Sequence, residues 1–152
     1  MDNGTKLHLS SSSGHHLYVC ILKIQVKNAT QIVDPYITVS LKDRQGMDLC
    51  DIQNTPIATI KEGNEIYFNN NIAIPIPLTK VPKDAAIFFE LKHFKVKKKS
   101  TSIKCFAFLE ENQMKEGHVC TELYKKPVDY KRRKLSLLTS QPVFLHLDLA
   151  IV

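Results

Sequence analysis

The sequence predicts an all-β protein folded as an antiparallel β-sandwich. Apolar and polar residues alternate with a period of two through most of the 152-residue chain, which is the pattern of strands with one buried face. Turn-forming segments such as DRQG (43–46) and KEGN (61–64) separate the alternating runs. Many short strands joined by turns at this spacing are typical of a sandwich.

Eight segments carry the alternation. In chain order they are 17–26, 35–41, 55–60, 65–76, 85–94, 101–110, 118–124 and 142–149. The first segment groups five residues on one face: Tyr18, Cys20, Leu22, Ile24 and Val26. In the segment 85–94, the alternation places Phe89 and its neighbours Ile87 and Leu91 inward, and Glu90 and Lys92 outward.

Only one segment has helical character. DYKRRKLSLLTS (129–140) contains no proline, and its apolar residues are Tyr130, Leu135, Leu137 and Leu138. We predict one short helix in this segment, near the C-terminus.

The first 16 residues, MDNGTKLHLSSSSGHH, differ from the rest of the chain. They are rich in serine and have neither a hydrophobic period nor the apolar centre of a signal peptide. We expect residues 1–16 to form a flexible leader and residues 17–152 to form one domain. No apolar run approaches the 18 residues that a membrane-spanning helix needs, and we expect a cytoplasmic protein.

The four cysteines, Cys20, Cys50, Cys105 and Cys120, form neither a C-x-x-C pair nor a Cys/His spacing typical of a metal site. We expect free thiols in a reducing compartment. The GxSxG, HExxH, P-loop and dinucleotide-binding motifs are missing as well. His118 and Cys120 lie two residues apart, but adjacency alone does not imply a nucleophile with its base. We predict no enzyme, cofactor or metal site.

Positive charge is concentrated in two segments of this chain, whose net charge is +6. The first is the candidate lipid-binding site: Lys92, Lys95, Val96, Lys97, Lys98 and Lys99. The second basic patch consists of Lys125, Lys126, Lys131, Arg132, Arg133 and Lys134. Clustered positive charge indicates an anionic partner, which could be lipid headgroups, nucleic acid or an acidic protein. Nucleic acid is disfavoured, because aromatic residues are sparse near the second patch and no nucleic-acid-binding motif accompanies it.

The two basic segments have different expected roles. Each lysine close to an anionic membrane contributes about 1 kcal/mol to binding, and Val96 could enter the headgroup layer. The alternative for this segment is a solvated turn whose lysines only protect a sheet edge from aggregation. Because antiparallel strands reverse at every turn, we expect the second patch at the opposite end of the sandwich, facing a protein or another acidic partner.

Three segments resemble motifs of C2 domains. VDPYITVSLKD (33–43) resembles their S-D-P-Y-V-x-V motif, and NEIYFNNNIAIPI (64–76) resembles their N-P-x-W/F-N-E-x-F-x-F segment. AAIFFELKHF (85–94) resembles the strand before their third membrane-facing loop. Longer strings, such as AAIFFELKHFK and ELYKKPVDYKRRKLSLLT, resemble the C-terminal C2 domain of the Aida family, the axin interactor, dorsalization-associated proteins. Order and spacing agree over residues 17–149, and the resemblance implies an eight-stranded Greek-key sandwich.

The resemblance also bears on calcium. Calcium-dependent C2 domains bind the ion through acidic residues of their first and third loops. Asp34 keeps one of these positions, whereas Asn28 replaces the other aspartate of the first loop, and His93 and Lys95 fall on or beside third-loop positions. Since calcium needs several oxygen ligands, we predict no metal site and regard Asp34 as a vestigial calcium position.

The resemblance implies a non-enzymatic module that binds anionic phospholipids, phosphoinositides included, without calcium. It further implies an axin-binding adaptor that inhibits axin-mediated activation of the Jun N-terminal kinase. The expected location is the cytoplasm with peripheral membrane association, and the isolated domain is expected to be monomeric. The alternative function is a protein–protein interaction sandwich with no lipid role, whose basic surfaces bind acidic partner segments.

Overall fold

The computed structural model of the chain describes residues 14–152. The predicted flexible leader, residues 1–16, therefore lies outside the described residues except for its last three positions. Of these, His16 exchanges two backbone hydrogen bonds with Val152, each close to 3 Å.

The described chain forms two five-stranded antiparallel sheets, which confirms the all-β, sandwich-like prediction. The strands are β1 (Leu17–Gln25), β2 (Tyr36–Lys42), β3 (Gln53–Asn54), β4 (Ile60–Glu62), β5 (Glu65–Ala73), β6 (Ala86–Lys95), β7 (Ser100–Glu110), β8 (Gly117–Glu122), β9 (Tyr124–Lys125) and β10 (Phe144–Ile151). The first sheet has the order β4-β5-β1-β10-β8, and the second has the order β3-β2-β6-β7-β9.

Helical structure in residues 14–152 is limited to three short 3₁₀ turns. They are Ala29–Gln31, Leu78–Lys80 and Glu111–Gln113. None of the described helices has the length and apolar character needed to cross a membrane.

The main hydrophobic core lies between the two sheets. The first sheet contributes residues such as Ile21 and Leu147, and the second contributes Val39, Phe89 and Leu91. Burying an apolar side chain of this size contributes roughly 1.5–3 kcal/mol relative to leaving it exposed. The inward face predicted for segment 85–94 is therefore confirmed.

The strand β1 buries different faces in its two halves. Its buried residues are Leu17, Val19 and Ile21, followed by Ile24. The pairing of β1 with both neighbouring strands slips between Ile21 and Lys23. Because side chains alternate with a period of two, a one-residue slip moves all later side chains to the opposite face. The predicted inward face is wrong at Tyr18, Cys20 and Leu22 and correct from Ile24 onward.

The described chain has ten strands where eight were predicted, because two predicted strands are organised differently. The segment 118–124 forms β8 in one sheet and β9 in the other, and the chain crosses between the sheets at the buried Leu123. The segment 55–60 is largely irregular and is flanked by β3 and β4. Pro56 has no N–H group to donate to a ladder, and this disfavours a continuous strand.

The helix predicted over residues 129–140 is wrong. The carboxylate of Asp129 accepts hydrogen bonds from the backbone N–H groups of Lys131, Arg133 and Lys134, at 2.8–3.0 Å. Such side-chain acceptors offer the backbone an alternative to helical hydrogen bonds. Arg132 adopts a left-handed conformation with φ 56°, which an α-helix does not accommodate. The segment instead folds back over the second sheet.

An aromatic cluster covers the outer face of the second sheet. Its members are Phe88, Phe106, Phe108, Tyr124 and Tyr130, with Val128 and Ala86 beside them. The ring of Phe88 lies edge-to-face with Tyr130 at a centroid distance of 5.0 Å. Glu90 points to this outer face, as predicted, but only 5% of it is exposed. Its carboxyl group accepts a hydrogen bond of 2.8 Å from the Tyr130 hydroxyl.

Because of the contact between Tyr130 and Glu90, we expect the stability of the domain to decrease at alkaline pH. Burial, and next the hydrogen bond to Glu90, raise the pKa of Tyr130. Because the pKa of Tyr130 is higher in the folded state, its protonated hydroxyl contributes to the free energy of unfolding. This contribution is complete below the unfolded-state pKa of about 10 and is lost as the pH rises through the pKa of the folded state. Above pH ~10, we expect the free energy of unfolding to fall more steeply in the wild type than in Tyr130→Phe.

The measurement is denaturant unfolding of both proteins between pH ~8 and ~11. At the lower pH, Tyr130→Phe should be less stable by about 1–3 kcal/mol, because the buried carboxyl group of Glu90 loses its donor. Parallel pH profiles for the two proteins would contradict the assignment.

Candidate functional site

Three connections between strands meet at one end of the sandwich, which we call the loop end. They are residues 26–35, 63–64 and 96–99. The backbone N–H of Val26 donates to the carbonyl of Asn64 at 2.9 Å, and the N–H of Asn28 donates to the side-chain oxygen of Asn64 at 3.2 Å. The N–H of Phe94 donates to the carbonyl of Val33 at 2.9 Å. These bonds tie the connection 26–35 to Asn64 and to the end of β6, which leads directly into residues 96–99.

The lysine-rich segment forms a tight turn at this end, and we call residues Lys95–Lys99 the lysine turn. Lys95 pairs with Ser100 across β6 and β7, so the four residues between them reverse the chain. Lys99 closes the turn with φ 51°. Residues 96–99 are exposed, whereas Lys92 and Lys95 are half-buried.

The lysines of the turn have no acidic partner in the described part of the chain. The lysines that form ion pairs within residues 14–152 are Lys23 and Lys42, with Glu65 and Asp48. Closely spaced positive charges without counter-charges repel one another and create a positive potential that attracts an external anion.

The pairing of strands brings two further lysines to this basic surface. The pairing of β6 with β7 shifts between Leu91 and Lys92, which leaves Lys104 as an extra residue in β7. Lys125 of β9 pairs with Cys105, so Lys126 continues along β7 towards the loop end. Burial, followed by the charges of Lys104, Lys95 and Lys126, lowers the pKa of His93.

A cleft of about 680 Å³ opens next to the lysine turn. It is lined by Thr101, Ser102, Ile103, Lys126, Pro127, Val128 and Tyr130. Its hydroxyl groups and its lysine are hydrogen-bond donors of the kind that bind phosphate oxygens.

The structure distributes the second basic patch over several places. Lys126 lies beside the cleft, and Lys125 is exposed on β9. Lys131, Arg133 and Lys134 are exposed around the Asp129 turn, whose hydrogen bonds to the backbone lower the pKa of Asp129.

Arg132 is packed differently from the other residues of the second patch. Its guanidinium group lies 5.8 Å from the ring centroids of both Phe88 and Phe108. It also donates a 2.9 Å hydrogen bond to the carbonyl of Asp84, which precedes β6 and lies at the end of the sandwich opposite the lysine turn. These contacts assign Arg132 to the packing of the aromatic cluster.

Asp34 and Asn28, the first-loop positions of the calcium argument, are both exposed and left-handed, with φ of 48° and 57°. Asparagine and aspartate tolerate this conformation better than most residues. Among residues 14–152, Asp34 belongs to no group of three or more histidine, cysteine or acidic side chains close enough to bind one ion.

Two exposed aliphatic side chains accompany the lysines. Val96 is 61% exposed and Val33 is 36% exposed. The hydrogen bond from Phe94 to Val33 fixes the loop of Val33 to β6, two residues before Val96. The sequence analysis identified Val96 but missed Val33 and Lys104. It assigned Lys126 to the second basic patch at the opposite end of the sandwich, and this position is wrong, because the pairing of β9 with β7 brings Lys126 to the loop end. An exposed apolar residue in a loop of a predicted C2 domain was the available signal for Val33, whereas no local pattern indicated the positions of Lys104 and Lys126.

The sequence of this chain matches a model of a known protein family. The family model described as "Axin interactor dorsalisation-associated protein, C-terminal" matches residues 6–149 of the chain. The chain belongs to this family. All residues of the lysine turn, the cleft and the Asp129 turn lie within the part that matches the axin interactor C-terminal domain.

The chain is similar to curated axin interactor, dorsalization-associated proteins of vertebrates. It is 54% identical to the protein from Danio rerio over 132 residues, which cover 87% of this chain and 44% of the relative. It is 53% identical to the Homo sapiens protein over 131 residues, covering 86% of this chain and 43% of the relative. For the Macaca fascicularis protein the identity is 53%, with 86% and 48% covered. The chain thus spans less than half the length of these relatives.

Proposed function

We propose that this domain is a non-enzymatic C2-type module that binds anionic phospholipids, phosphoinositides included, at cytoplasmic membrane surfaces without calcium. The observation that carries the proposal is the lysine turn. Its residues 96–99 are exposed, its lysines lack acidic partners within residues 14–152, and it lies at the end of the sandwich where three connections meet. Lys104 and Lys126 extend the same surface.

The expected affinity follows from the number of charges. The candidate lipid-binding site has five lysines, which are Lys92, Lys95, Lys97, Lys98 and Lys99. At about 1 kcal/mol each they provide roughly 5 kcal/mol before entropic losses, so binding is reversible. Val33 and Val96 add a small apolar contribution when they enter the headgroup layer. The cleft beside Lys126 provides a place for one phosphorylated headgroup, with Thr101 and Ser102 as additional donors.

The experiment is co-sedimentation of the domain with neutral vesicles, with phosphatidylserine vesicles and with vesicles that contain a phosphoinositide. Binding is measured at ~0.1 M and ~1 M salt, where the Debye length is about 10 Å and about 3 Å, and in the presence of either calcium or a chelator. We expect binding to the anionic vesicles alone, loss of binding at high salt and no effect of calcium. Binding that requires calcium, or equal binding to neutral vesicles, would contradict the proposal.

A second proposed function is that of an axin-binding adaptor, which, by the family resemblance, inhibits axin-mediated activation of the Jun N-terminal kinase. The relatives carry axin in their names, and this chain matches less than half of their length. Exposed isoleucines at the strands β3 and β4 support a protein contact: Ile52, Ile57 and Ile60 are at least half exposed. These three exposed side chains lie within nine residues of the chain and form the candidate contact surface for a protein partner.

One double variant separates the two functions. We expect Ile57→Ser/Ile60→Ser to reduce capture of axin and to leave vesicle binding unchanged. If the domain is a pure protein-interaction module, the wild type captures axin but sediments with no vesicle at either salt concentration.

A further inference from the structure

The outer face of the first sheet brings together four side chains with metal-binding chemistry. His118 and Cys120 lie on β8, and His146 and Asp148 lie on β10. The register pairs Cys120 with His146 and His118 with Asp148 directly across the two strands. Residues two apart on a strand share a face, so the four side chains form a compact group.

The distances within the group are close to those between the ligand atoms of a bound metal ion. The sulfur of Cys120 lies 3.4 Å from Nε2 of His118 and 3.2 Å from Nδ1 of His146. The three candidate ligand atoms all lie within 4.8 Å of one another. In tetrahedral zinc coordination, bonds of about 2.3 Å to sulfur and about 2.0 Å to nitrogen place these atoms about 3.5 Å apart. Only small side-chain adjustments are therefore needed.

Asp148 supports the orientation of one ligand. Its Oδ1 lies 2.9 Å from Nδ1 of His118, where it accepts the ring N–H and leaves Nε2 of that ring available towards Cys120. A carboxylate that holds the second nitrogen of a histidine is a common partner of zinc ligands.

We propose that His118, Cys120 and His146 bind one zinc ion, with Asp148 orienting His118 and the fourth coordination position open to water. One thiolate and two imidazoles suit zinc and do not suit calcium. The thiol of Cys120 loses its proton to solvent when the ion binds. Because β8 is at the edge of its sheet and Cys120 and His118 are exposed, the open position faces solvent.

A thiol activated by His118 and Asp148 is the competing interpretation of the same contacts. Such a nucleophile needs one base and one orienting group, and the approach of His146 to the same sulfur has no role in it. The convergence of two imidazoles on Cys120 is what favours the metal site.

The test uses the untagged 152-residue chain, stripped with a chelator and then titrated with zinc alone. We expect one zinc per chain by elemental analysis and a higher melting temperature in zinc than in chelator. Substitution with cobalt is expected to produce the visible absorption bands of tetrahedral coordination and a near-ultraviolet thiolate band. No stoichiometric zinc in the folded wild type would overturn the proposal.

Substitutions of the proposed ligands test where zinc binds. Cys120→Ser and His146→Gln are expected to weaken zinc binding by at least ~100-fold, and Asp148→Asn by about 10–100-fold with the cobalt spectrum retained. Cys50→Ser and His93→Gln are matched controls elsewhere in the fold and should bind zinc normally. Circular dichroism without metal checks that every variant is folded. Equal zinc affinity in Cys120→Ser, or rapid alkylation of Cys120 in a wild type that binds no zinc, would show that the metal site is wrong.

Discussion

Replacing Lys95, Lys97, Lys98 and Lys99 together with alanine is expected to weaken binding to anionic vesicles by roughly 10²–10³-fold. Four charges at about 1 kcal/mol each account for this loss. The stability of the domain should change little. Lys97, Lys98 and Lys99 are exposed, and substitutions at exposed positions usually alter the free energy of unfolding by less than ~0.5 kcal/mol. Lys95 is half-buried but forms no ion pair within residues 14–152. Vesicle co-sedimentation and denaturant unfolding of the same preparation measure both quantities.

The control removes the same charge from the opposite end of the sandwich. It replaces four exposed residues in connections at that end: Arg44, Lys80, Lys83 and Lys115. If binding depends on the lysine turn, this control keeps most of its affinity for anionic vesicles. An equal loss in both variants would mean that net charge alone drives binding, and it would refute a defined membrane-binding end.

The second large effect concerns stability. Phe88→Ala is expected to lower the free energy of unfolding by about 3–5 kcal/mol and the melting temperature by roughly 6–20 °C. Phe88 is fully buried beneath Phe108, Tyr130 and the guanidinium group of Arg132. Its loss leaves a cavity under the segment that covers the sheet, so hydrogen exchange in residues 124–138 should accelerate as well.

Phe94→Ala is the matched control for this prediction. Phe94 lies near the end of the same strand but is only half-buried. Its truncation should therefore lower the free energy of unfolding clearly less than that of Phe88. A similar loss of unfolding free energy in the two variants, or unchanged hydrogen exchange in residues 124–138 of Phe88→Ala, would show that the aromatic cluster does not anchor residues 124–138.

Most strands were predictable because they depend on local alternation. The segment 85–94 shows this well: Ile87, Phe89 and Leu91 are buried, and β6 covers residues 86–95. The slip in β1 was not predictable in the same way. It depends on how β1 pairs with β5 and β10 at once, and the left-handed Asn69 in β5 lies opposite the slip.

The helix prediction failed because it considered one segment without its surroundings. Tyr130, Leu137 and Leu138 suggested an apolar helical face. In the structure Tyr130 reaches Glu90 on β6, and Leu137 bridges to Tyr124. The Asp129 carboxylate then holds the turn by backbone hydrogen bonds. Contacts with distant strands outweigh the helical preference of such a short segment.

The sequence by itself determined the alternating strands, the density of lysines between Lys92 and Lys99 and the resemblance that led to the family. Only the tertiary structure decided which charges share a surface, since Lys126 reaches the loop end through the pairing of β9 with β7. It also decided that Cys120 and His146, 26 residues apart, lie side by side. The physical reason is the same in both cases: strand pairing between distant segments sets these positions, and a local pattern carries no information about register.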